Sequence, residues 1–119
     1  MSIPNEALQK LLQEIEARAT LSHQQLQVVR GQVAGKQRDI RLNQLTITEL
    51  ESLPKDTNVY EGVGKMFVLV PMDNVKSRLE GEVKALSSDV EDLNKKLQYQ
   101  EMTFQKTQEN ISALLQRGA

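Results

Sequence analysis

The chain has no cysteine and no tryptophan, a single histidine, three prolines and only 3% aromatic residues in a length of 119. Without cysteine there can be no disulfide framework, thiolate zinc site or cysteine nucleophile, and such a composition fits a reducing compartment, with the cytoplasm as the expected location. With His23 alone, neither a histidine metal cluster nor a serine triad can be assembled within one chain, so His23 reads as an exposed helix residue. The scarcity of large aromatic side chains argues against a globule of ordinary thickness. No apolar run approaches the roughly 18 residues of a membrane span. The opening residues MSIPNEALQKLL lack the basic-then-apolar pattern of an export signal, so the sequence predicts a soluble, unexported chain.

Charge is equally uninformative about an enzyme. Lys and Arg number 15 against 16 Asp and Glu, mixed along the whole length, and the basic footprint of a nucleic-acid binder is missing. The basic group Lys36, Arg38 and Arg41 reads as solvated surface, as do Asp89, Glu91 and Asp92 beside Lys95 and Lys96. Gly64-Lys65 does not make a phosphate loop, which needs Gly where Val59 stands and Ser or Thr where Met66 stands. No catalytic, metal-binding or cofactor-binding residue emerges, and an enzyme is not expected.

What the chain does contain is Leu, Gln, Glu, Lys and Val in a helical rhythm. Stepping alternately by four and three residues from Leu8 gives Leu12, Ile15, Ala19, Ser22, Leu26, Val29, Val33, Lys36, Ile40, Asn43, Ile47 and Leu50, with ten of the 13 positions apolar. A second series runs Leu79, Val83, Leu86, Val90, Leu93, Leu97, Gln100, Phe104, Thr107, Ile111 and Leu114, nine of 11 apolar. A spacing averaging about 3.5 residues marks a coiled-coil seam. Pro4 suits a first helical turn, Leu53-Pro54 marks a stop, and Asp73 after Pro71 is a plausible N-cap. If the chain folds back on itself, pairing residues whose numbers add to 126 places every second-series position opposite a first-series one. Ser22 then faces Phe104, Leu26 faces Gln100, Lys36 faces Val90 and Asn43 faces Val83, so no two polar residues meet. Parallel pairing between chains would leave the middle segment unexplained as a connector. Gly31, Gly35 and Gly81 lie off the seam, where each should weaken its helix by about 1 kcal/mol relative to Ala.

About 17 residues separate the two series, far more than a helix-to-helix turn needs. Asn58–Glu61 and Lys65–Val70 are rich in β-formers, with Gly62-Val63-Gly64 supplying a turn, so the segment reads as a β-hairpin. Two isolated strands are marginal in water, and here the second is apolar on both faces. The hairpin therefore wants other chains. The expected fold is mainly α: a long antiparallel two-helix coiled-coil hairpin with one β-hairpin at the connection, assembling through its strands with other chains into an oligomeric β body, which the resemblance described next makes a β-barrel. The boundaries are one domain over 1–119, with helix 1 at about 5–53, the β-hairpin at about 58–70 and helix 2 at about 73–117. Helices of that length would reach roughly 65 Å at 1.5 Å per residue.

The run TNVYEGVGKMFVLVP between two coiled-coil halves resembles the β-type subunits of the prefoldin family, which carry one hairpin where α-type subunits carry two. The resemblance implies a hexamer with two α-type and three other β-type subunits. It also implies an ATP-independent holdase that passes unfolded actin and tubulin to the cytosolic group II chaperonin. Carried over, Val59, Tyr60, Met66, Phe67, Val68, Leu69 and Val70 are barrel and intersubunit residues, and clients meet the open helix ends. Those ends offer Leu8, Leu12, Ile111 and Leu114 on the seam and Ile3, Leu11 and Leu115 off it, where aliphatic groups could adapt to many nonnative chains. The plain alternative is that they thicken a fraying terminus, and the alternative function is a structural coiled-coil adaptor that never binds unfolded chains. Neither nucleic acid nor membrane is expected as a partner. Leu42, Leu45 and Leu53, off the seam near the hairpin, suggest burial against the barrel or a neighbouring subunit; Leu21 and Val28 have no account in the sequence.

Overall fold

A computed structural model of the chain describes residues 4–118. The order is α1 (Asn5–Glu51), β1 (Val59–Val63), β2 (Met66–Val70) and α2 (Met72–Gly118), with each helix 47 residues long. The chain divides into two compact units, one holding the stretch up to Val33 with Asp92 onward, the other Ala34–Glu91.

In the first unit α1 and α2 run antiparallel, because Arg30 pairs with Glu101 at 3.0 Å while His23, earlier in α1, meets Phe104, later in α2. The buried residues are seam residues: Ala19, Leu26, Val29 and Val33, with Leu26 only 3% exposed. Ile15, Leu93, Leu97, Phe104 and Ile111 are half-buried. His23 is exposed, as expected, but its ring sits 5.7 Å from that of Phe104 and helps to roof the seam. Thr107 hides its hydroxyl on the carbonyl of Thr103 at 2.9 Å, and the buried Oε1 of Gln100 has no protein partner.

The second unit carries the same antiparallel pairing, with Lys36 on Asp89 at 3.2 Å, Asn43 on Glu82 at 3.1 Å and Lys76 near Glu51 at 3.6 Å. Each contact lies one position from the pairing inferred above, since Asp89 neighbours Val90 and Glu82 neighbours Val83. The polar head of each seam residue thus leaves the apolar stripe for a carboxylate on its rim. Leu50 and Leu79 are buried. The seam of α2 begins earlier than the sequence series, because Met72 and Val75 continue it and are half-buried.

Three local features differ from the sequence reading. Helix α1 ends at Glu51, before Leu53-Pro54, in tightened turns where the Ser52 N–H is shared by Thr48 and Glu49 and the Ser52 hydroxyl bonds the Glu49 carbonyl at 2.7 Å. Asp73 lies in the first turn of α2 and is not its N-cap; the Pro71 carbonyl receives the first bonds, from Asn74 and Val75. The hairpin turn is Gly64-Lys65, with Gly62 and Val63 inside β1. Gly64 has φ of 61°, and no other described residue has positive φ, the pattern of a two-residue II′ turn whose twist matches the strands.

A Cβ built on Gly31 or Gly81 meets nothing within 4 Å. Gly31→Ala and Gly81→Ala are each expected to stabilise the chain by about 0.5–1 kcal/mol, read as a rise in the urea midpoint at unchanged slope.

Candidate functional site

The β-hairpin concentrates the uncovered apolar surface of the second unit. Its register pairs Val59 with Val70, Tyr60 with Leu69, Glu61 with Val68, Gly62 with Phe67 and Val63 with Met66. Opposed residues share a face, so Val59, Glu61, Val63, Met66, Val68 and Val70 lie on one side and Tyr60, Phe67 and Leu69 on the other. On the first side Val59, Glu61 and Val70 are half-buried, Val68 is 41% exposed, and Val63 and Met66 beside the turn are largely exposed. The second is bare, with Tyr60 and Leu69 largely exposed and Phe67 exposed at 78%. The sheet has two strands, so each presents one edge without a ladder partner among the described residues. Of the residues expected at a subunit interface, Tyr60, Met66, Phe67, Val68 and Leu69 are therefore exposed, and Val59 and Val70 lie toward the base.

Leu42 and Leu45 on α1 are also exposed within the chain, and Leu53 beyond it is partly so. Leu53 joins Leu50, Pro71 and Met72 around a hollow of about 500 Å³ at the base of the hairpin. A single charged side chain occurs in either strand, Glu61, and Arg78 of α2 pairs with it. Sequence periodicity misses this contact, because Arg78 is one of many polar residues outside the seam.

In the first unit the residues expected to form a client-binding end fall into two sets. Leu8, Leu12, Ile111 and Leu114 are half-buried along the seam, whereas Leu11 is 38% and Leu115 55% exposed. Ile3 lies outside the described residues. Leu21 and Val28, which the sequence left unexplained, stand on the flank of the same unit. They border a groove of about 570 Å³ with Gln32, Lys96 and Gln100.

No cluster of three His, Asp or Glu side chains able to hold a metal ion occurs among the described residues. Asp89, in the acidic group noted above, is engaged by Lys36 across the helix pair. No described helix is long and apolar enough to cross a membrane.

The sequence profile of the prefoldin subunit family matches residues 7–118. A relative from Schizosaccharomyces pombe described as probable prefoldin subunit 1 is 33% identical over 107 residues, 90% of this chain and 96% of that one. Prefoldin subunit 1 of Homo sapiens is 30% identical over 108 residues, 91% of this chain and 88% of its own. Among solved structures, the crystal structure of the prefoldin beta subunit from Thermococcus strain KS-1 superposes with a TM-score of 0.80 at 26% identity, covering 87% of this chain and 92% of that one.

Proposed function

From the premise that this chain belongs to the prefoldin subunit family, we propose that it is a β-type subunit of a hexamer with two α-type and three other β-type chains. The observation that carries the reading is the bare apolar face of Tyr60, Phe67 and Leu69 on a sheet of two strands. Such a face and two open edges favour strand addition by neighbouring subunits, which satisfies backbone groups and removes apolar area from water together. Leu42 and Leu45 extend the apolar surface of the same unit and suit burial in that assembly.

The assembled complex captures unfolded chains without ATP in the cytoplasm and delivers actin-like and tubulin-like clients to the group II chaperonin. The client surface of this subunit lies where α1 begins and α2 finishes, with Leu11 and Leu115 as the exposed aliphatic contacts and Leu8, Leu12, Ile111 and Leu114 beneath them. Ile3 belongs with this group by sequence position. The half-buried set supports the helix pair, and the exposed pair is free to meet a nonnative chain.

The test separates these roles. Replacing Leu11 and Leu115 together with Ser is expected to leave assembly intact and to weaken suppression of aggregation of an unfolded client by about twofold, since the other subunits keep their own contacts. Unchanged suppression by complexes containing the variant would remove these two residues from the client surface. Native mass spectrometry of the complex that forms around the chain tests the hexamer itself, which requires a mass of six subunits with this one present once.

A further inference from the structure

We infer that Arg78 is a positioning residue for assembly: it neutralises Glu61 on β1 and, through Glu82, ties the hairpin to the helix pair of its own unit. The inference rests on the proposed assembly through the hairpin and names what orients it. Strand β2 ends at Val70 and α2 begins at Met72, so Pro71 is the sole residue between them. The other connection, from Ser52 to Asn58, is longer: Ser52 and Leu53 bond back to the last turn of α1, and Thr57 N–H bonds the Pro54 carbonyl at 3.0 Å. The hairpin is therefore joined to α2 through Pro71 alone, and its strands contribute only Val59, Glu61 and Val70 to partly covered surface.

Across that junction charged and polar groups run from β1 to α1. The Arg78 guanidinium forms an ion pair through Nη1 with Glu61 Oε1 and lies 3.9 Å through Nε from Glu82 Oε1. The other carboxylate oxygen of Glu82 accepts from Asn43 Nδ2 at 3.1 Å. One planar, forked cation thus reaches β1 and its own helix, and Glu82 passes the connection to α1. Glu61 is the sole charge in ten strand residues, opposite Val68. When other subunits cover the hairpin, water leaves this carboxylate, and an unpaired buried charge is far costlier than a paired one. Arg78 supplies the compensating charge in advance and, through the same ion pairs, orients the hairpin.

This arrangement predicts an unequal pair of single variants. Arg78→Gln leaves Glu61 uncompensated and should weaken binding of the full chain to the α-type prefoldin subunits by about tenfold. Glu61→Gln removes the carboxylate and should weaken it by no more than about threefold. Combining the two should restore affinity to within about threefold of the original chain, and Arg78→Lys should fall between the original and Arg78→Gln. Hydrogen exchange of the β1 and β2 amides in the isolated full chain gives the second readout. Arg78→Gln should accelerate it by about threefold while helix content and melting temperature stay unchanged. Rescue of Arg78→Gln by Glu61→Gln supports the inference. A double variant as weak as Arg78→Gln alone, or unaltered strand exchange, overturns it. If the original chain does not bind α-type subunits at all, the proposed function fails, and the exchange experiment still decides whether Arg78 holds the hairpin.

Discussion

Phe67→Asp is expected to abolish entry of this chain into the proposed hexamer while leaving its helix pair intact. In the isolated chain Phe67 is 78% exposed, so a carboxylate there stays in water and disturbs little. In an assembled β body the same carboxylate would lie on the face shared with Tyr60 and Leu69, away from Arg78 on the opposite side of the sheet. Burying it without a partner costs about 4 kcal/mol or more, roughly a thousandfold in affinity. Size-exclusion chromatography with the partner subunits reads the loss, and circular dichroism of the isolated chain checks that the helices persist. Phe67→Leu keeps an apolar group and should still assemble. Normal assembly of Phe67→Asp would show that this face is not the interface.

The second large effect lies in the seam. Leu26→Ala should destabilise the chain by about 2–3 kcal/mol, because Leu26 is 3% exposed and its removal leaves a gap that rigid helices close only in part. Leu21→Ala, five residues earlier on the same helix, is the control: Leu21 is 55% exposed, and the change should stay within about 0.5 kcal/mol. Urea denaturation of both variants measures the difference. Equal losses would mean that Leu21 is covered and that the heptad assignment does not define the core.

The contrast between these two leucines shows what was legible in the sequence. All positions of both heptad series are buried or half-buried, since a stripe of apolar residues at coiled-coil spacing has one physical solution, a partner helix on that side. The antiparallel register was accessible to within one residue, since Lys36 meets Asp89 and Asn43 meets Glu82, each next to the partner that the seam pairing gave. The hairpin could be read from β-branched and aromatic residues around glycines. Its turn could not be placed to the residue, because Gly62 and Gly64 both permit positive φ and sequence alone does not say which uses it; Gly64 does. The Glu61–Arg78 pair escaped for another reason. Contacts between elements of different period depend on the angle at which they meet, and no repeat in the sequence encodes that angle. The bare faces at Leu11, Leu115 and Phe67 were legible as excess apolar residues, but no pattern within one chain encodes what covers them.

The antiparallel pairing also orders events in time. The contact from Asn43 to Glu82 closes a loop of 39 residues, Lys36 to Asp89 one of 53 and Arg30 to Glu101 one of 71. Closure entropy rises only slowly with loop length, yet once the shortest loop has formed, each later contact extends a pair already aligned. Loop closure therefore favours a folding order that starts beside the hairpin and runs toward the two termini. By the same reasoning fraying is expected to start at the far rungs, around Leu11 and Leu115, which hydrogen exchange along the two helices would show as the fastest-exchanging helical amides.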